Sequence, residues 1–249
     1  SCGYAMRRTL LPEDVRPLAE LLHSEYPGVA LMVDNCYGEF VRRDEPTDFG
    51  ADLCACSLIK NMGGGLAPTG GYIVGKRTLI ERIGYRLTAP GVGLEIGSYA
   101  GGYQPFYQGL FMAPHTVCQA LKTITLACAV FSLLGLEVKP ALTDERSDII
   151  QAIRLCTPER VVAFCEGIQM ASPVDSFALP EPWDMPGYEH PVVMAAGTFV
   201  SGASVELSAD APIREPYAVY MQGGLTYGHG KLGVRRVLER LAETGNLPE

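Results

Sequence analysis

Asp34, in Leu31-Met-Val-Asp-Asn-Cys-Tyr37, and Lys60, in Cys56-Ser-Leu-Ile-Lys-Asn-Met-Gly-Gly-Gly65, each close a short apolar run. A lysine amine condenses with an aldehyde to a Schiff base. A carboxylate beside a pyridine nitrogen keeps that nitrogen protonated, so that the ring accepts electrons from a carbanion. Together these are the requirements of a pyridoxal phosphate site. The two residues stand 26 positions apart, room for a strand, a connection and a second strand. Both would then lie at carboxyl ends of neighbouring strands, where open α/β sheets take their ligands. Singly, such an aspartate is ordinarily a turn former or helix cap, and a lone lysine is ordinarily solvated. The pair gains weight from Gly63, Gly64, Gly65 and Gly70-Gly71 close by, because glycine lets backbone approach a phosphate and aim amides at it.

Several ordered blocks extend this reading: Val33-Asp-Asn-Cys-Tyr-Gly-Glu-Phe40, Ser57-Leu-Ile-Lys-Asn-Met-Gly-Gly-Gly-Leu-Ala67, Tyr85-Arg-Leu-Thr-Ala-Pro-Gly91, Ala195-Ala-Gly-Thr-Phe199 and Gly223-Gly-Leu-Thr-Tyr227. In these blocks the chain resembles the methionine gamma-lyase-related family often labelled aluminium resistance proteins, from about residue 3 to about residue 235. The resemblance implies fold type I of the pyridoxal phosphate enzymes. It implies Lys60 as the Schiff-base lysine, Asp34 as the partner of the pyridine nitrogen and Ser57 as a phosphate contact, with Cys36 near the cofactor ring or simply packed. Two departures stand out. Ile59 occupies a position where the wider cystathionine-processing group has threonine, and Tyr220-Met-Gln-Gly-Gly224 replaces a stretch that carries a carboxylate-binding arginine. Arg214 and Arg86 are the residues whose guanidinium groups could serve as that clamp, through bidentate hydrogen bonds, although each reads more readily as a surface or interdomain ion pair. The chain opens at Ser1 rather than methionine, and the resemblance implies an upstream segment holding the phosphate-cradling helix start and the side chain that stacks on the ring.

Composition narrows the field. With 249 residues, 47% of them hydrophobic, the chain can bury a core. Its 28 acidic against 20 basic residues give a net charge of −8, which disfavours nucleic acid as a partner. The apolar stretch near 124 to 138 reads as a buried helix rather than a membrane span. Cys54 and Cys56 form a C-x-C pair without a second pair to complete a metal site, Cys118 and Cys128 read as small hydrophobes in an apolar helix, and reduced thiols in the cytoplasm are the default.

The fold class expected is α/β, a partial fold type I sheet followed by a smaller α+β domain. Residues 1–114 would belong to the cofactor domain, 115–142 to a linking helix and 143–249 to the small domain. Helices are predicted over 10–25 and 76–86, from about His115 to Leu134 with Gly135 as its stop, from Pro158 with Thr157 as N-cap to about Ala171, and over Gly230–Ala242. Strands are predicted over 30–33, 51–58 and 71–74 in a mostly parallel sheet, and over 148–155, 192–199, 203–208 and 217–222. The glycine-rich stretch from Gly91 to Gly109 reads as a loop. His115 and His229 are acid/base candidates that read more readily as capping or packing groups. The expected activity is a gamma-elimination on a sulfur-containing amino acid, with pyridoxal 5'-phosphate as cofactor and a homodimer or homotetramer as assembly. An aminotransferase, a beta-lyase or a catalytically silent fragment are the alternatives.

Overall fold

The computed structural model describes residues 3–87, 89–95, 97–200 and 202–248. A 3-10 turn at Pro12–Asp14 leads into helix α1, Val15–Glu25. Strand β1, Met32–Asp34, runs parallel to β2, Leu53–Ser57, with Asp34 level with Ala55. Strand β3, Gly71–Gly75, returns antiparallel on the other side of β2, so the expectation of a mostly parallel sheet holds for one pairing and fails for the next. The reason is the connection. Only thirteen residues, 58–70, separate β2 from β3, and they fold as a 3-10 turn at Asn61–Gly63 with left-handed Gly64 and Gly65 (φ 56° and 80°) rather than as a crossover helix.

Helix α2, Arg77–Leu87, follows β3, and α3 runs thirty residues from Gln104 to Leu133. The helix expected from His115 therefore starts eleven residues earlier, inside the stretch read as a loop. Pro114 resembles a start signal but lies within α3. Gly109 also lies within it, because a Cβ there would overlap the carbonyl of Gly63: the glycine lets the helix touch the turn that carries Lys60. The carbonyl oxygen of Gly64 accepts a hydrogen bond from the buried Thr116 hydroxyl at 3.1 Å. The glycines beside Lys60 thus serve close packing of turn on helix. Gly109→Ala, which in an open helix would add about 1 kcal/mol of stability, is expected to cost roughly 2 kcal/mol by overpacking. An unchanged or higher urea midpoint for that variant would contradict the contact.

The C-terminal half forms one antiparallel sheet in the order β4-β5-β8-β7-β6. Its strands are β4 Val138–Lys139, β5 Ile150–Arg154, β6 Val192–Ala195, β7 Ser208–Pro212 and β8 Ala218–Gln222. Helices α4, Pro158–Met170, and α5, Tyr227–Glu243, pack with α3 on its face. Phe131 of α3 and Phe164 of α4 meet at 5.2 Å between ring centroids, amid buried Ile168, Leu207, Met221, Val237 and Leu241. The Thr157 hydroxyl accepts the Arg160 amide as the expected N-cap. Gly135, at φ 75°, stops α3 as expected. α5 begins three residues before its expected start, capped by Thr226. The strand expected at 203–208 is displaced to Ser208–Pro212, because the buried Glu206 carboxylate accepts the amides of Phe199 and Val200 and so holds its own segment out of the ladder. α3 is long and apolar enough to cross a membrane by length and composition, contrary to the apolar length read from the sequence. Its Val117, Ile124, Ala127 and Phe131 are nevertheless fully buried within the fold. Of the two cysteines expected as small hydrophobes on this helix, Cys128 is buried and Cys118 is exposed.

Candidate functional site

Asp34 is the last residue of β1, an exposed position at the carboxyl end of the strand, and Lys60 follows the last residue of β2 by three. Pairing of β1 with β2 therefore delivers both side chains to one end of the sheet, as the spacing predicts. The Asp34 carboxylate accepts the Cys36 amide at 3.0 Å. Burial works against its ionisation, but hydrogen bonds from the Cys36 thiol and amide, with the nearby Lys60 charge, hold it below the ordinary carboxylate range. Asp34 is thus an anion at neutral pH.

Lys60 is half-buried, and its amine sits 4.4 Å from the centre of the Tyr37 ring, a cation–π contact. Tyr37 is non-glycine at φ 73°, a conformation that costs about a kcal/mol or more and places its buried ring beneath the amine. No salt bridge to Lys60 forms among the described residues, so its amine is available to an electrophile. Lys76, by contrast, is paired to the buried Asp52.

A cavity of about 1050 Å³ opens beside Asp34. Its floor is Asp34, Cys36, Ala55, Cys56 and Ser57, and its wall is aromatic: Tyr72, Tyr99, Tyr103, Phe106 and Tyr107. Ser57 faces this space while its hydroxyl donates to Gly70 O and accepts the Ile59 amide. Behind the floor lies Glu39, 1% exposed, accepting the Tyr72 hydroxyl at 2.7 Å. Burial raises its pKa, against the lowering hydrogen bonds of Cys56 and Tyr72. The Asn61 amide, next to Lys60, donates to the Glu39 carbonyl at 2.9 Å, so the turn carrying Lys60 is tied to the loop that follows Asp34.

The remaining candidates lie elsewhere. Arg214 is exposed and donates to the Tyr4 carbonyl. Arg86 is exposed on α2 and lines a separate groove with Leu53, Leu79 and Tyr85. Neither lines the Asp34 cavity. His115 is exposed on α3, and His229 shares a 2.8 Å hydrogen bond with the Ala171 carbonyl, the packing role weighed for it.

Tyr37, Glu39, Tyr72 and Asp210 went unmarked in the sequence, and so did the aromatic wall. Asp210, on β7 and 8% exposed, accepts the Tyr4 hydroxyl and feels the Lys60 charge. Burial raises its pKa from 3.8 to about 6, although Tyr4 and Lys60 pull the other way. The folded state therefore holds this proton more tightly than the unfolded chain does. Its contribution to stability is full below about pH 4 and is lost as the pH rises through about 6. Asp210→Asn is expected to remove up to about 3 kcal/mol of that slope. Urea midpoints from pH 4 to pH 7 for the two proteins test this, and parallel curves would refute it.

Comparison with known proteins adds an independent line. The family model for methionine gamma-lyase matches residues 1–242. An uncharacterized 33.9 kDa protein from Lactobacillus delbrueckii subsp. bulgaricus is 47% identical over 241 residues, which cover 97% of this chain and 79% of that one. Among solved structures, one from Clostridium acetobutylicum, described as a candidate cystathionine beta-lyase involved in aluminum resistance, matches with a TM-score of 0.90 and 50% identity. It is covered over 56% of its own length, against 96% of this chain. A carbon-sulfur lyase involved in aluminum resistance from Clostridium novyi NT matches with a TM-score of 0.89 and 51% identity, over 95% of this chain and 56% of its own. The chain thus spans a little over half the length of these solved relatives.

Proposed function

The chain belongs to the methionine gamma-lyase family and shares its fold with fold type I pyridoxal phosphate enzymes, and from its geometry we propose that it carries the lysine and carboxylate of a carbon-sulfur lyase acting on a sulfur-containing amino acid. The observation that carries this reading is the placement of Lys60 and Asp34 at the same ends of two paired parallel strands.

The residues present fit pyridoxal phosphate. The Lys60 amine has no ion-pair partner among the described residues, Asp34 is an exposed carboxylate held anionic, and the adjoining cavity has room and aromatic surface for a planar ring. Lys60 would hold the aldehyde carbon and Asp34 the ring nitrogen, with Ser57 on the phosphate side. When bound, the cofactor supplies an electrophilic aldehyde and a cationic ring that stabilises a carbanion at the substrate alpha carbon. With the cofactor bound, the Lys60 Nζ would be the group that takes the alpha proton and carries it. Asp34 stays ionised through that transfer and keeps a positive charge opposite it. The Tyr37 face stabilises the ammonium form of Lys60 after it has taken the proton. The Asn61 to Glu39 hydrogen bond keeps the amine in register with Asp34.

Gamma-elimination is the reaction we propose. A beta-elimination is the second reading, favoured by the name of the Clostridium acetobutylicum relative. Both release a thiol, and the oxo acid separates them. Gamma-elimination of methionine or cystathionine gives 2-oxobutyrate, whereas beta-elimination of cystathionine gives pyruvate. Cystathionine and methionine, supplied with pyridoxal phosphate to the whole protein and followed by oxo-acid and thiol analysis, provide the test. Amine transfer without carbon-sulfur cleavage would overturn both.

A further inference from the structure

Glu39 is 1% exposed, Asp52 3% and Glu206 4%, yet the three carboxyl groups are held differently. Asp52 accepts the Leu31 amide and pairs with Lys76 and His23. Glu206 accepts the amides of Phe199 and Val200 and the Ser204 hydroxyl. Glu39 is much poorer in donors. Its Oε1 accepts the Tyr72 hydroxyl at 2.7 Å, its Oε2 is buried without a hydrogen-bond partner, and no salt bridge reaches it among the described residues. An ionised carboxylate taken out of water needs a cation or several donors, and a carboxyl group without them keeps its proton. Burial accordingly pushes the Glu39 pKa up, against the Cys56 thiol, the Tyr72 hydroxyl and its own amide.

The same residue joins three segments of the site. Its carbonyl accepts the Asn61 amide at 2.9 Å, one residue past Lys60, and its carboxyl takes the hydroxyl of Tyr72 on β3. The Lys60 amine lies over the ring of Tyr37, two residues before Glu39, and its charge is felt at Glu39. A second anion at this point would favour the ammonium form of Lys60 and leave less free amine to attack an aldehyde. We propose that Glu39 is a positioning residue for Lys60 that works as a neutral acid, fastening the Lys60 turn to β3 without setting a negative charge behind the amine. This role presupposes Lys60 as the Schiff-base lysine. The other groups that face Glu39 agree with it. Tyr72, Cys54 and Cys56 from the strands and Glu45 from the following loop all have their pKa values raised, so the surroundings of Glu39 disfavour negative charge, and Lys60 is the cation that bears on it.

Infrared difference spectra of the wild-type chain against Glu39→Gln at neutral pH, in H2O and in D2O, read the protonation directly. A protonated-carboxyl stretch that shifts in D2O and is missing from the variant is expected. A carboxylate band missing in its place would overturn the proposal. Reductive methylation with formaldehyde and cyanoborohydride, mapped by peptide mass spectrometry, then reads the free amine of Lys60 without any cofactor. Its rate in Glu39→Gln should match the wild type, since one neutral group replaces another. A rise of about tenfold, the mark of an amine pKa lowered by about one unit, would mean that native Glu39 is an anion. Both measurements need only Glu39→Gln, which keeps an acceptor for Tyr72. For the positioning, Glu39→Leu removes that acceptor and should lower the pyridoxal phosphate trapped on Lys60 by borohydride about tenfold at limiting cofactor, while Glu39→Gln recovers most of it. Equal trapping in the two variants would refute the positioning role. If the wild-type chain traps no cofactor on Lys60, the cofactor reading falls by itself, and the infrared and methylation results alone decide whether Glu39 is a neutral acid behind this amine.

Discussion

Lys60→Ala is expected to abolish covalent capture of pyridoxal phosphate and to lower any carbon-sulfur cleavage by at least about a thousandfold, since it removes both the covalent anchor and the group that carries the alpha proton. Borohydride reduction of the loaded wild-type protein, followed by peptide mapping, should place the cofactor on the peptide containing Lys60. The fold should survive. Among the described residues the amine makes a cation–π contact with Tyr37, worth roughly 0.5–2 kcal/mol at a partly buried site, and no ion pair that Lys60→Ala would remove. The competitors are poorly placed. Lys76 is committed to Asp52, which also accepts the Leu31 amide and pairs with His23, and Lys122 is exposed on α3 and does not line the Asp34 cavity. Reduced cofactor on Lys76 or Lys122 would refute the assignment, whatever the activity of the variant.

The placement of Asp34 and Lys60 at one end of two paired strands was legible because the signal is local: Asp34 ends β1, Lys60 follows β2 by three residues, and the pairing of those strands follows from the α/β pattern. The Thr157 cap and the Gly135 stop were legible for the same reason, since each satisfies backbone groups within a few residues. What the sequence hid depends on distant contacts. The start of α3 reads as a loop because it closes a stretch, Gly91 to Gly109, whose many glycines are poor helix residues. Gly109 is nevertheless required there by the Gly63 carbonyl, 46 positions away. The same misreading concealed the cavity wall, because Tyr103, Phe106 and Tyr107 belong to that part of the chain. β7 was displaced because Ser-Ala-Asp-Ala-Pro carries no strand pattern. It is buried on all five positions between β6 and β8, so that its small residues suit the sheet better than its propensities suggest. Glu39 could not be found at all, for its role rests on Tyr72 and Asn61, which come from two other segments.

Asp34→Asn carries the second large effect, and it separates chemistry from architecture. The substitution keeps the size of the side chain and its acceptor for the Cys36 amide, so the thermal and urea midpoints should move by less than about 1 kcal/mol. What disappears is the negative charge. In the native protein, hydrogen bonds from Cys36 and the Lys60 charge overcome partial burial to hold this carboxyl below its ordinary range, so no pH in the neutral region titrates it away. An amide at the same place cannot raise the pKa of a ring nitrogen by opposite charge, and proton removal from the substrate alpha carbon is expected to slow by about a hundredfold or more. Deuterium exchange at that carbon, followed by NMR with methionine as substrate, reports this step without requiring elimination. Asp34→Glu restores the charge at a longer reach and should recover part of the rate, which a merely structural role for Asp34 would not predict. Exchange at the wild-type rate in Asp34→Asn would mean that the electron-accepting ring is held by some other group, and that the end of β1 is only a turn.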